Sequence, residues 1–404
     1  MILVVLLSCT TQLNVGLVAI AIAWLIGLLA GIDANQVMAG FPSNLFLTLL
    51  GVTFLFAHAE VNGTLARVAT SVLRLARGNS AAVVILFFLF SAAISTLGAG
   101  AVPTVALAAP LAMGAASRSR IPAFLMAVMI GNGANAGNLS PISPVGVIAA
   151  KILERSGLGG HAWHIYLNHL IAHMIISAII LAILGGTRIW RESTPDETPA
   201  EMLPWQRPHF LTLGLICSLL AGVLVFQLPV GLAALSAGVL LTVFRTSKES
   251  EVIARMPWGV IIMVCGMSVL VAMLERTGGL DLFSSWIARA STPSSITAVV
   301  AFVSGIVSAY SSTSGVVLPA FLPMVPNLVQ QIGGGDPIAI VSSINLGSHL
   351  VDVSPLSTIG AMCIAAAGAE VDRHKLFRQL MLWGLSMSMV GALASFLLFG
   401  THLL

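Results

Sequence analysis

Apolar residues run in stretches of about 15–22 from one end of the chain to the other, each long enough to cross a bilayer as a helix. Short polar segments separate them. The pattern predicts an all-α polytopic membrane protein. Composition agrees: of 404 residues, 57% are hydrophobic and 8% charged, where a soluble chain carries roughly 25% charge. The net charge of +3 is spread over loops, which leaves no nucleic-acid footprint. Cys9, Cys217, Cys265 and Cys363 lie in apolar stretches without CxxC spacing, as packed free thiols do. Leu13–Gly31 is too long for the apolar core of a secretory signal and leads into further spans.

Four polar interruptions break the apolar pattern. They are STLGAGAVP (Ser95–Pro103), GNGANAGNLSPISPVG (Gly131–Gly146), SAYSSTSGVVLP (Ser308–Pro319) and NLGSHLVDVSPLSTIG (Asn345–Gly360). Proline removes a backbone donor and clashes with the preceding turn, so a helix is not expected to pass unbroken through such Gly, Asn and Pro density. Freed backbone groups are too costly in hydrocarbon, so these segments are expected to line a protein or water cavity.

The interruptions belong to a repeat. Sliding the chain against itself by 215 residues lays Pro42–Leu65 over Pro257–Leu280, pairing Pro42 with Pro257, Gly51 with Gly266, Glu60 with Glu275 and Gly63 with Gly278. The same offset lays Gln12–Leu17 over Gln227–Leu232, and Pro122 over Pro337. One residue slips before NLSPISPVG (Asn138–Gly146) matches DVSPLSTIG (Asp352–Gly360). Two units follow, 1–187 and 210–404, joined by a Pro- and charge-rich linker outside the membrane, 188–209. In this register MILVVLLSCT covers about half of a first span, which is expected to be incomplete.

Lys and Arg cluster around 67–77, 118–120, 188–207, 245–255 and 373–378, while the loops at Asp33, Pro229 and Gly333–Asp336 have none. If the basic loops are cytoplasmic, Ala81–Ser117 enters and leaves on that side, as a re-entrant hairpin or as two spans. Its counterpart Ile296–Leu328 does the same from outside, and the halves are oppositely oriented. Lys151, Arg155, Arg276 and Arg289 are the minority against this orientation.

Paired interruptions in corresponding positions of inverted halves point to a transporter's binding site near the midplane. The residue types suit a small anion with a hard cation: helix N-termini offer N–H groups and positive dipole ends to carboxylates, and hydroxyls, carboxamides and unwound carbonyls can cage a cation. No Arg or Lys lies in the four stretches, so an anion there would be held by dipoles and hydroxyls with a cation balancing its charge. The plain alternative is that Ser-Pro pairs are kinks and the glycines let helices pack. Asp352 is a cation ligand or proton carrier on one reading and a helix cap on the other. His58, Glu60, Glu275 and Arg276 lie at span ends and read as interfacial or inter-helix contacts.

The hairpin stretches resemble the SNT-bearing tips of the divalent anion/Na⁺ symporters, and the Ser-Pro stretches that group's unwound helices. Through FPSNLFLTLLGVTFLFAHAEVNGTL and GNLSPISPVGVI the chain is more similar to the malonate/dicarboxylate carriers of the same ion-transporter superfamily. The resemblance implies an elevator-type secondary carrier of the bacterial inner membrane, dimeric through its scaffold, moving a small dicarboxylate with Na⁺. It assigns substrate contacts to Ser95, Thr96, Ser312 and Thr313 at the hairpin tips and to Ser140, Ser143, Ser354, Ser357 and Thr358 at the helix breaks. Asn132, Asn135, Asn138, Asn345 and Asp352 are the candidate cation ligands. The tips STLG and SSTS lack the family's Asn, and Asp352 adds a charge, so proton coupling stands beside Na⁺. No cofactor, metal or catalytic residue is expected: there is no HExxH or GxSxG, and only His349 and Asp352, three apart, could pair as nucleophile and base. The rival within transport is the large membrane subunit of a tripartite ATP-independent carboxylate transporter, which needs a periplasmic binding protein; a channel is the third reading.

Overall fold

The computed structural model describes residues 13–76, 79–191, 204–226, 228–310, 313–368 and 370–401. The stub of the first span, Cys9, most of the linker and the predicted tip residue Ser312 lie outside the described residues. The described chain is built of helices and turns, and six helices are long and apolar enough to cross a membrane. The all-α expectation holds.

We number the main helices α1 (Val15–Leu29), α2 (Ser43–Val61), α3 (Ser80–Ile94), α4 (Ala101–Arg118), α5 (Ala123–Asn138), α6 (Pro144–Arg155), α7 (Ala162–Arg191) and α8 (Arg207–Phe226). The later ones are α9 (Val230–Val243), α10 (Trp258–Arg276), α11 (Ile296–Tyr310), α12 (Val325–Ile332), α13 (Pro337–Val351), α14 (Thr358–Ala365) and α15 (Arg373–Ser395). Large apolar side chains stay exposed on α1, α7, α9 and α15, among them Leu28, Ile183, Val243 and Leu382. Apolar surface on this scale is what lipid covers.

Repeat partners meet across the halves. A Cβ on Gly51 of α2 would stand 2.0 Å from the Gly231 carbonyl oxygen of α9, and one on Gly266 of α10 would stand 2.1 Å from that of Gly16 of α1. Gly51 is the repeat partner of Gly266, and Gly16 of Gly231. The contacts are therefore reciprocal between the matched positions. Backbones this close admit no side chain, which is why small residues are required there.

Each half folds one hairpin. The first is α3, a wide turn at Ser95–Ala99 and α4, with Gly98 and Gly100 at φ 122° and 78° reversing the chain. Its feet meet, since Ser80 Oγ donates to the Ser119 carbonyl at 3.4 Å. The second runs from α11 through a wide turn at Thr313–Val317 to α12, and Gly335 brings the chain back beside Ile296. Wide turns of this kind recur at functional sites.

Helix does not pass unbroken through the two Gly-, Asn- and Pro-rich stretches, as expected, and the break is confined to the Ser-Pro part of each. Helix α5 continues through Gly131–Asn138 and α13 through Asn345–Val351; only 139–143 and 352–357 are unwound. The glycines are packing sites: a Cβ on Gly133 or Gly137 would lie 2.4 or 2.3 Å from the carbonyl oxygens of Phe88 or Ala92 on α3, and one on Gly347 2.3 Å from that of Ala301 on α11. Close packing onto the hairpin offsets the weak helix propensity of glycine. Proline ends the helices where the expectation placed it.

Candidate functional site

The two unwound segments are built alike. In S-x-x-S-x-x-G the second serine caps the following helix: Ser143 Oγ accepts from Gly146 N at 3.1 Å, and Ser357 Oγ accepts from Gly360 N at 3.4 Å. Each of these hydroxyls also donates back across the break, Ser143 to the Asn138 carbonyl and Ser357 to the Asp352 carbonyl. The first serine bends the turn: Ser140 Oγ accepts from Ile142 N at 3.5 Å and Ser354 Oγ from Leu356 N at 3.3 Å. Glycine closes the motif because a Cβ on Gly146 or Gly360 would lie 1.9 or 2.1 Å from the carbonyl oxygen of Ser140 or Ser354. The Ser-Pro signal is thus first a helix-capping device. It leaves the first N–H groups of α6 and α14 without intrahelical partners.

The residue closing each preceding helix reaches the hairpin of its own half. Asn138 Oδ1 accepts from Ala101 N, the first residue of α4, at 3.0 Å. Asp352 Oδ1 accepts from Thr313 Oγ1 at 2.7 Å and from Ser308 Oγ at 3.3 Å. Thr313 Oγ1 and Ser308 Oγ are 2.5 Å apart, and the Ser348 carbonyl lies 3.3 Å from Thr313 Oγ1. One carboxylate, two hydroxyls and a carbonyl thus share one buried spot, the donor set of a hard cation. Asp352 itself stands at the C-terminal end of α13. His349 Nδ1 donates to the Asn345 carbonyl at 2.8 Å.

These segments enclose a cavity of about 300 Å³, near the lower limit for small-molecule sites. Of the predicted residues, Asn135, Asn138, Thr313, Asp352, Ser357 and Thr358 line it, together with the tip Gly100–Pro103. The others lie behind the wall. Thr96 Oγ1 bonds Tyr166 Oη at 2.9 Å, and Asn345 Nδ2 donates to the Val341 carbonyl at 2.9 Å. Ser95 and Asn132 are buried with side-chain polar atoms that have no partner among the described residues. Ser140, Ser143 and Ser354 shape the wall as described above. Arg255 and Glu60, 3.7 Å apart, stand at the rim. Sequence reasoning placed no cation here because Arg255 belongs to a basic loop outside the four stretches; only the fold brings it in. That loop is one of those read as cytoplasmic.

A membrane-spanning all-α chain whose cavity lies at the meeting of two hairpin tips and two helix breaks is a multi-pass membrane transporter, and its relatives bear this out. Residues 1–138 match the family model for the N-terminus of the dicarboxylate carrier protein MatC. The uncharacterized transporters Mb2703 of Mycobacterium bovis and Rv2684 of Mycobacterium tuberculosis are each 22% identical over 400 residues, covering 92% of this chain and 91% of theirs. The crystal structure of the Alcanivorax borkumensis YdaH transporter shares the fold with a TM-score of 0.59 at 17% identity, covering 96% of both chains. The resemblance read from FPSNLFLTLLGVTFLFAHAEVNGTL and GNLSPISPVGVI therefore stands.

Proposed function

We propose that the protein imports a small dicarboxylate of malonate or four-carbon size across the bacterial inner membrane by cation symport, through an elevator movement of the hairpin and broken-helix elements against the α1, α2, α9 and α10 scaffold. The observation that carries this reading is the position of Asp352. Its carboxylate lines the cavity, and among the described residues the only cationic side chain lining it, Arg255, already faces Glu60. A dianion cannot share a low-dielectric chamber with an uncompensated carboxylate without a balancing positive charge. The oxygen cluster of Asp352, Thr313, Ser308 and the Ser348 carbonyl is where that charge, Na⁺ or a proton, would sit. The substrate carboxylates would then meet the N-termini of α6 and α14, with Ser357 and Thr358 beside them. The family match over 1–138 supports the substrate class, and the reciprocal glycine contacts support an inverted repeat and hence alternating access.

The test is uptake of labelled malonate, succinate and malate into liposomes holding only the purified chain, with Na⁺ and pH gradients imposed separately. Accumulation driven by one gradient is expected. Uptake that appears only with an added periplasmic binding protein would assign the chain to the tripartite class. Ohmic conductance without accumulation would make it a channel.

A further inference from the structure

Behind the cavity, α7 brings two histidines that the sequence reading passed over against a third on α13. The rings of His169 and His173 are 4.4 Å apart, and those of His169 and His349 are 4.8 Å apart. All three are fully buried. Asn135 ties them together: its carbonyl accepts from His169 Nε2 at 3.0 Å and its Nδ2 donates to the His349 carbonyl at 2.9 Å. Asn135 also lines the cavity, so one residue forms the wall between the two sites.

A carbonyl can only accept, so these bonds settle the tautomers. His169 carries its proton on Nε2, and His349 carries its proton on Nδ1, toward the Asn345 carbonyl. The remaining nitrogens, His169 Nδ1 and His349 Nε2, are bare acceptors. They have no partner among the described residues, and neither have Asn135 Oδ1 and both ring nitrogens of His173. Buried polar groups are normally paired, and each exception asks for an explanation. Here the excess is of acceptors, so what is missing is a donor.

We propose that His169, His173 and His349 form a buried proton-exchanging site, separated from the cavity by Asn135. A proton arriving from water bonds to an acceptor nitrogen of the trio, turns it into a donor among acceptors, and leaves to water on the other side of the membrane. The inference rests on reading the chain as a cation-coupled carrier and names a second place where positive charge travels. A metal is a poorer fit: among the described residues no three His, Cys, Asp or Glu side chains group as metal ligands do.

The surroundings supply no competing charge. Helices α3, α5, α11, α12 and α13, packed on the trio or on its neighbours, hold no Asp, Glu, Lys or Arg. On α7 the basic residues are Arg188 and Arg191 at the far end, and Tyr166 bonds Thr96. Lys151, Glu154 and Arg155 lie in the last turns of α6, Arg118 ends α4, and Arg373, His374, Lys375 and Arg378 open α15. The Cys363 thiol of α14 faces the Ala127 carbonyl at 3.9 Å. Asp352, one turn beyond His349, is engaged by Thr313 and Ser308.

Proteoliposomes loaded with a pH-sensitive dye, and assayed in parallel for labelled succinate or malonate, test this. The wild type is expected to move protons with substrate. His173→Gln is expected to lose that proton movement while still binding substrate, and His374→Gln, at the exposed start of α15, to keep it. Substrate uptake without proton movement in the wild type would overturn the proposal and leave the carrier reading intact, as would proton movement kept in His173→Gln. A requirement for added Zn²⁺, or sensitivity to a chelator, would overturn it in favour of a metal. Ring-¹⁵N histidine spectra of the substrate-free protein give a readout that needs neither transport nor a folded variant. Over a pH series bounded only by where the protein stays folded, a buried, slowly exchanging imidazole is expected to switch form reversibly. Three imidazoles that keep one form throughout would overturn the proposal even if no tested acid is carried.

Discussion

Asn138 and Asp352 stand at matching ends of α5 and α13, and each reaches the hairpin of its own half, Asn138 to Ala101 N at 3.0 Å and Asp352 to Thr313 Oγ1 at 2.7 Å. The two breaks are alike in backbone and differ by one charge. The neutral residue steadies the start of α4. The charged one gathers hydroxyls and a carbonyl at the cavity wall, and there coupling should be decided.

Asp352→Asn should therefore flatten the dependence of uptake on Na⁺ or on pH, whichever drives the wild type, and Thr313→Val should shift the same dependence in a milder way. Uptake rates across a matrix of Na⁺ concentration and pH check this. An unaltered profile in both variants would reduce Asp352 to a structural tie.

The capping serines should act on stability before affinity. Removing an N-cap hydroxyl costs about 1 kcal/mol, so Ser143→Ala and Ser357→Ala should each lower the melting temperature in detergent. Thr358→Val, on the cavity wall without a capping bond, should instead weaken substrate protection against melting while leaving the substrate-free melting point in place. Equal behaviour of the three would contradict the division.

Arg255 at the rim faces Glu60 across 3.7 Å, and under the proposed function an entering dianion would pass it. Arg255→Gln should raise the apparent KM by about tenfold, the scale of one lost charge-assisted hydrogen bond, with a weaker salt dependence of uptake. A KM unmoved by the substitution, at low and at high salt, would remove Arg255 from the substrate path.

At the scaffold crossings a single methyl has no room. Gly266→Ala drives a Cβ to 2.1 Å from the Gly16 carbonyl oxygen, whereas on Gly259 the nearest atom would be Asn14 Nδ2 at 3.7 Å. Overpacking of the first kind costs about 1–3 kcal/mol. Thermal melting should separate the two variants, and identical melting would mean that α1 and α10 separate easily.

Much of the fold was legible because repeats and proline leave marks that side-chain chemistry does not blur. Pro42 over Pro257 and Ser143 over Ser357 announce paired elements, and the breaks at 139–143 and 352–357 fall where proline requires them. Where within Gly131–Gly146 the break falls was not legible, because glycine lowers helix propensity in isolation and permits close packing against a neighbour. The site was half legible. Asp352 and Thr358 stood out as polar residues in apolar sequence, whereas Ser143 and Ser357, read as ligands, also cap helices. Arg255 was hidden in a basic loop, since nothing local distinguishes a topological charge from one folded over a cavity. His169 and His173 left one usable mark, a four-residue spacing that sets two imidazoles on one face of an apolar helix.

The reciprocal glycine crossings bear on how the chain is made. Gly51 finds its partner in Gly231 and Gly266 finds its partner in Gly16, so neither half contains its own scaffold contact. As the chain leaves the ribosome, α1 and α2 enter the membrane with their close-packing faces turned to lipid and stay unmatched until α9 and α10 are inserted. Neither crossing can close before α9 is inserted, so the first half waits on later chain for its tightest packing.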